Sequence, residues 1–365
     1  MNFRKRIELT LLLTLAVGLI STGYAKTHRD MEAGEMSQDQ QPLPFAFSVS
    51  GGALNPWQDR VVNFHLSVFS GEVRGVQGLQ LGAISNHVTS HFVGYDATGI
   101  YSRVDGNYAG FQAGGIVSHV GGHFVGMQTG GVFNKVGADF FGLQTAGILN
   151  NVSGNFTGLQ ISGIHNRSKN VRVAQISGVS NEASDVEGVQ IAGIVNHAKH
   201  VKGVQIGLIN HSEKLDGIAI GLVNLSESGR VHMVSWASSN ENFQVGVKFA
   251  PNDYWYTILT VGKHSGPGNR DTFGSFESHL GFHIPLVAKF YTEIDVGTGN
   301  TLPGDFLTLE SMEAEQMVEA RVALGLRITP RLSVVAGLSQ KTVSDDYDFW
   351  NGSTGRSKPF FGIQI

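Results

Sequence analysis

The chain repeats itself. Between Gly78 and Asn224 a unit G-x-Q-x-x-G-[IV]-x-N, followed by a polar turn, recurs ten times. Its Gln falls at Gln80, Gln112, Gln128, Gln144, Gln160, Gln175, Gln190 and Gln205, with Asp96 and Ala219 at the same place in two degenerate units. The step is 16 residues as far as Gln160, 15 as far as Gln205, and 14 for the last. No Pro or Trp interrupts residues 78–224. A Pro would remove a ladder hydrogen bond from any sheet built here.

Two architectures accommodate such a unit. In a β-solenoid each unit is one coil and equal positions stack at about 4.8 Å. In an up-and-down meander each unit is a strand and a turn, and the mature chain closes as one large outer-membrane barrel of about 18–20 strands. Counting the Gly as position 1, apolar residues recur at positions 2, 4, 7, 11 and 15, while positions 8, 10, 12 and 16 accept charges. Position 15 reads Phe92, Tyr108, Phe124, Phe140, Phe156, then Val171, Val186, Val201, Leu215. The change from aromatic to aliphatic coincides with the change of period, as a stacked core of like on like requires. This favours the solenoid: ten coils of 14–16 residues, a rod on the order of 48 Å. Asn134, Asn150, Asn166, Asn181, Asn196, Asn210 and Asn224 would then form a ladder at one turn. The meander would put Val189, Ile191, Gly193 and Val195 toward lipid. That stretch is short for a membrane strand and carries no aromatic girdle.

The flanks differ from the repeats. Arg4, Lys5 and Arg6, an apolar run from Leu9 to Ile20, and Gly23-Tyr24-Ala25 predict a signal peptide over 1–25. Its apolar run is too short to span a bilayer comfortably. Residues 26–43 read as a polar leader. Residues 44–77 hold the strand-like Phe45–Ser50 and Val61–Phe69, expected as N-terminal cap strands before the array at 78–229. Over 230–365 about eight strand-like runs follow. Turns at Pro251-Asn252-Asp253, Ile284-Pro285 and Thr329-Pro330-Arg331 alternate with longer loops at His264–Ser275, Thr298–Gln316 and Lys341–Lys358. Short turns on one side and long loops on the other are the habit of an outer-membrane barrel. All four Trp (Trp57, Trp236, Trp255, Trp350) lie outside the repeats. The fold class expected is all-β: a repeat β-solenoid followed by an antiparallel β-barrel-like domain.

The tandem units, closing with Gly203–Asn210 and Gly217–Asn224, resemble bacterial surface-repeat proteins of the leptospiral type. The hairpin Gly325–Gly337 resembles the strand-turn-strand of outer-membrane barrels. The resemblance spans roughly residues 45–340 and implies an exported, envelope-associated protein of a Gram-negative bacterium. It implies no reaction and supplies no catalytic residues.

Composition narrows the chemistry. The absence of Cys excludes disulfides, thiolate metal sites, a Cys nucleophile and a lipid-modified N-terminal Cys. With 26 basic and 30 acidic residues, nucleic acid is not the expected partner. Loss of 1–25 would leave 23 and 29. His87 with His91, and His119 with His123, share an i, i+4 spacing. The two pairs stand two coils apart, about 10 Å, too far to share one ion. They read as polar turn residues. Asp96, Asp105 and Asp139 fall at different coil positions and would not converge as a glycosidase pair. There is no G-x-S-x-G, H-E-x-x-H or phosphate loop. No catalytic, cofactor or metal residue is expected.

Two binding features remain. Gln112, Gln128, Gln144, Gln160, Gln175, Gln190 and Gln205 would form either an outward amide row for a sugar or flat partner, or a row bonded along the stack that only stabilises it. Asp346, Tyr347, Asp348 and Trp350 would form a binding loop or an exposed acidic one. The expected function is a non-enzymatic envelope protein with a structural or adhesive role. Outer-membrane lipid is the expected partner, with an extracellular protein or carbohydrate as ligand. An outer-membrane pore is the alternative, and a polysaccharide-active β-helix enzyme comes third.

Overall fold

The structure, a computed structural model, describes residues 41–50, 55–238, 243–265, 272–302, 315–344, 353–354 and 357–365. The signal segment, residues 26–40 of the leader, and Asp346, Tyr347, Asp348 and Trp350 lie outside the described residues. The protein is all-β, a parallel β-solenoid of about 11 turns and a closed 8-strand antiparallel barrel. It divides into two compact units, residues 1–199 and 200–365.

In the first unit each coil contributes a long and a short strand, such as Phe124–Gly130 and Phe133–Val136. Phe124–Gly130 pairs parallel with Tyr108–Gly114 and with Phe140–Ala146. Gly126 lies against Gly110 and Gly142, and Gln128 against Gln112 and Gln144. Equal repeat positions therefore stack, which rules out the single large antiparallel barrel. The expected cap strands are themselves members of the stack. Leu43–Ser48 runs parallel to Val61–Ser67, which runs parallel to Gly75–Gly82. The array thus begins well before Gly78.

The core is half of what the apolar pattern predicts. Position 15 is buried and its rings stack face to face: Phe92, Tyr108, Phe124, Phe140 and Phe156 have centroids 4.6, 4.8, 4.8 and 5.1 Å apart. Position 11 (Val88, Val104, Val120, Val136, Val152) completes the apolar interior. Positions 2 and 7, expected inside, face outward, and the Gln and Asn rows take their place. Strand alternation forces this exchange. With Gln inward at position 3, positions 2 and 4 must point away.

Burying an amide requires partners for its donor and acceptor. Stacking supplies them, because the same group lies one strand spacing above and below. Gln128, Gln144, Gln160, Gln175 and Gln190 each donate Nε2–H to Oε1 of the preceding Gln, at 2.7–2.9 Å. Asn134, Asn150, Asn166 and Asn181 donate to Oδ1 of the following Asn, at 2.9–3.0 Å. Gly142 shows why position 1 is Gly. Its φ is 132°, and a Cβ there would collide with the Gly126 carbonyl oxygen. Val173 occupies that position once, at φ 95°.

In the second unit the last coil bonds directly to the barrel wall. Asn224 Nδ2 donates to Thr257 Oγ1 at 3.1 Å, and Asn252 Nδ2 to the Gly217 carbonyl at 2.8 Å. The eight barrel strands are Arg230–Ser238, Phe243–Ala250, Trp255–Ser265, Thr272–Pro285, Phe290–Leu302, Glu315–Arg327, Ser333–Ser344 and Lys358–Gln364. The sheet closes because Arg230–Ser238 pairs with both Phe243–Ala250 and Lys358–Gln364. Arg230 lies opposite Ala250, and Gln364 opposite Ser333. The chain therefore enters and leaves the barrel at the end bearing the short turns 251–254, 286–289 and 328–332.

Candidate functional site

The Gln row is not an outward binding surface. Gln112, Gln128, Gln144, Gln160, Gln175 and Gln190 are fully buried and Gln205 almost so. Their amides are used along the stack, so a ligand on the coil surface does not meet them. The Gln-to-Gln hydrogen bonds stop at Asp96, which stands in register between Gln80 and Gln112. Gln112 donates to Ser102 Oγ at 2.8 Å, and Ser102 in turn donates to Asp96, as Thr98 does at 2.9 Å. An acceptor-only carboxylate suits a row whose members all donate toward the chain start. Burial nevertheless pushes the Asp96 carboxyl up to about 6, against the hydroxyls and amides that bond it.

The paired histidines serve the turns. His87 Nε2 lies 2.8 Å from Asp105 Oδ2. His91 Nδ1 accepts from the Asn107 backbone N–H at 3.0 Å, and His123 Nδ1 from that of Asp139 at 3.3 Å. Asp105 and Asp139 sit on exposed turns while Asp96 is interior, so the three carboxylates stay apart.

The chemistry-bearing groups gather instead inside the barrel. Every second residue of each strand points inward. Strands pair in register, so the inward positions form belts: Lys248 and Glu293 near one end, then Tyr256, Asp295 and Arg321, then His279, Glu277, Glu319 and Lys341. Lys248 pairs with Glu293, whose other oxygen accepts from Gln364 Nε2 at 2.9 Å. Asp295 takes both arms of Arg321, at 2.8 and 3.1 Å, together with the Tyr256 hydroxyl at 2.8 Å. The Arg321 guanidinium lies 4.0 Å over the Trp236 ring. His279 bridges Asp295 at 3.1 Å and Glu277 at 3.3 Å. Glycines opposite the large side chains make the room. A Cβ at Gly281 would strike Tyr256, at Gly297 His279, and at Gly325 Tyr291.

Glu277, His279 and Glu319 place three ligand-type atoms within 4.8 Å of one another. The Lys341 ammonium already lies 2.7 Å from Glu277 and 3.9 Å from Glu319, and supplies the cation these carboxylates hold. Among the described residues, four buried carboxylates (Glu277, Glu293, Asp295, Glu319) face three cations (Lys248, Arg321, Lys341) and His279, so the interior charges pair with one another. Sequence reasoning missed this cluster. Its signal was an i, i+2 recurrence of charge in otherwise apolar strands: Glu277/His279, Glu293/Asp295, Glu319/Arg321.

The barrel's outer face is the inverse. Val231, Met233, Phe243, Val261, Phe276, Phe282, Ile294, Val296, Val322, Leu324, Leu338 and Phe361 are all exposed. Along the strands, Phe276 adjoins the buried Glu277, Ile294 lies between Glu293 and Asp295, and Val322 follows Arg321. Trp255 and Phe282 pack with ring centroids 3.9 Å apart near the short-turn end.

No protein-family model matches this chain, and no curated protein matches its sequence. Among solved structures, it is similar to Neisserial surface protein A at 12% identity and TM-score 0.27, over 37% of this chain and 92% of that one. The N-terminal β-barrel domain of Pseudomonas aeruginosa OprF gives 12% identity and TM-score 0.26, over 37% and 97%. A de novo designed transmembrane β-barrel gives 16% and 0.23, over 37% and 91%. Likenesses at this level carry no weight for the function of this chain.

Proposed function

We propose that the protein is a non-enzymatic envelope protein of a Gram-negative bacterium. Its barrel spans the outer membrane and holds the repeat array there as a structural and binding rod. The observation that carries this reading is the barrel's inversion, with Phe282, Val296 and Val322 outside and Glu277, Asp295 and Arg321 inside. A soluble barrel buries its apolar face. One whose surroundings are hydrocarbon does the reverse, and closure leaves no unpaired strand edge. Membrane lipid is then the first partner, and the signal segment 1–25 supplies export.

Sidedness follows from connectivity. Outer-membrane barrels keep short turns on the periplasmic side and long loops outside. The chain enters at Arg230 and leaves at Gln364, both at the short-turn end. The residues preceding Arg230 therefore lie on the periplasmic side, and the opposite strand ends, at Ser238, Ser265, Leu302 and Ser344, face outward. An adhesive role belongs to that outward end of the barrel, and a periplasmic binding role to the array. The likeness to leptospiral-type surface repeats fits an envelope protein of this kind.

A transport pore is disfavoured by the ion-paired lumen. The test is reconstitution of the full mature chain into liposomes and planar bilayers. The expected result is carbonate-resistant insertion, a compact gel form that heating expands, and no steady conductance. Carbonate-extractable protein would refute the membrane reading, and stable single-channel steps would restore the pore.

A further inference from the structure

The outward side of the first unit's coils carries an uncharged ridge. Eight segments of seven residues, from 78–84, 94–100 and 110–116 through to 188–194, hold no Lys, Arg, His or Glu, and their one acid, Asp96, points inward. Position 7 forms the crest: Ile84, Ile100, Ile116, Val132, Ile148, Ile164, Val179 and Ile194, each 37–45% exposed. Position 2 flanks it with Tyr95 and Phe111, whose rings stack at 5.0 Å. Charged groups stand off this ridge: His87, Lys135, Arg167 and Glu182 are on the neighbouring strands, Asp105 and Asp139 on the turns, and the Arg172–Glu187 ion pair borders it just before position 1. The backbone along this face is paired within the stack. It is thus an apolar surface and not an open sheet edge.

We infer that this ridge is the interface with a second copy of the chain, the two arrays apposed antiparallel about a twofold axis. Three observations select that occupant. The crest repeats once per coil, every ~4.8 Å, and only a surface with the same rung spacing interleaves with it along its whole length. The face carries no charge, so self-apposition brings no like charges together. Seven steps of ~4.8 Å by six residues of ~3.3 Å give about 700 Å², close to the ~800 Å² per partner of a stable interface. A face made for lipid would be ringed by Trp and by Lys or Arg, and no Trp lies in the repeats. Full overlap pairs Ile84 with Ile194 of the partner, Ile116 with Ile164, and Val132 with Ile148.

The chain has no Cys, so introduced thiols report without background. In the full chain in detergent, Ile116→Cys mixed with Ile164→Cys should give a disulfide-linked dimer at high yield. Ile84→Cys alone should give none. Sedimentation should show a dimer that Ile116→Asp with Ile148→Asp weakens at least 100-fold, with unchanged far-UV circular dichroism. A wild type that sediments as a monomer would overturn the proposal. So would a dimer indifferent to the Asp pair, cross-linking of Ile84→Cys to itself, or an Asp pair that alters only the detergent bound, which would make the face a lipid one.

Discussion

Gln144 donates its side-chain amide to that of Gln128 at 2.7 Å, toward the start of the chain. One strand away, the Asn row donates in the opposite sense, Asn134 to Asn150 at 2.9 Å. The two buried rows thus carry opposed dipoles, and members inside each row satisfy their neighbours, while Asn134 Oδ1, at the start of its row, has no partner among the described residues.

A break in such a row strands two partners at once. Gln144→Leu leaves the Gln128 carbonyl oxygen and the Gln160 amide N–H facing hydrocarbon. Each buried unpaired group costs about 1–3 kcal/mol. Thermal unfolding of Gln144→Leu should show a loss of about 2–5 kcal/mol, whereas Lys135→Leu, at an outward position of the strand Phe133–Val136, should change stability little.

Asp96 gives the array a pH dependence. Its folded carboxyl is raised to about 6 from an ordinary 3.8. The folded state therefore holds the proton more tightly than the unfolded one. The stability this confers is present in full below pH 3.8 and is lost as pH rises through 6, about 3 kcal/mol in all. His65, whose pKa burial lowers, works the other way: its contribution is full above pH 6.5 and falls as pH drops below that. Asp96→Asn keeps His65 and removes only the first effect. The stability of the variant relative to wild type should grow by about 3 kcal/mol between pH 4 and pH 7.

Inside the barrel, Lys248→Ala leaves Glu293 buried without its cation. A broken buried pair costs about 3–5 kcal/mol. The double replacement Lys248→Met with Glu293→Gln should recover most of that loss in a urea titration of the detergent-folded protein.

On the outside of the barrel, Val322→Arg separates lipid from water. In water, a residue 54% exposed tolerates Arg with little effect. In a bilayer, Arg near the midplane costs about 2–4 kcal/mol. Refolding yield into liposomes should fall for Val322→Arg.

The repeat was legible because stacking imposes identity. A one-coil period, Gly at position 1, and the coupled switch from Phe156 to Val171 favour a solenoid over a meander, and the parallel register of Phe156 with Val171 decides it. Polarity alone could not place the amides in the interior. Gln and Asn look like surface residues one at a time, and only the partner one rung away makes them interior. The converse held for Ile116 and Ile148, apolar yet outward. Barrel boundaries were readable from Pro251, Pro285 and Pro330 at the short turns. The lumen's ion pairs were not, since Lys248 and Glu293 stand 45 residues apart and meet only when the sheet closes.

The most direct test is thiol labelling of intact cells with a membrane-impermeant reagent. Ser265→Cys, at the barrel end opposite the short turns, should label on intact cells. Lys135→Cys, in the array, should label only after the outer membrane is permeabilised. Both proteins should remain with the membrane after carbonate. Labelling of Lys135→Cys on intact cells would contradict the sidedness, and recovery of either protein in a soluble fraction would contradict the barrel's place in the membrane.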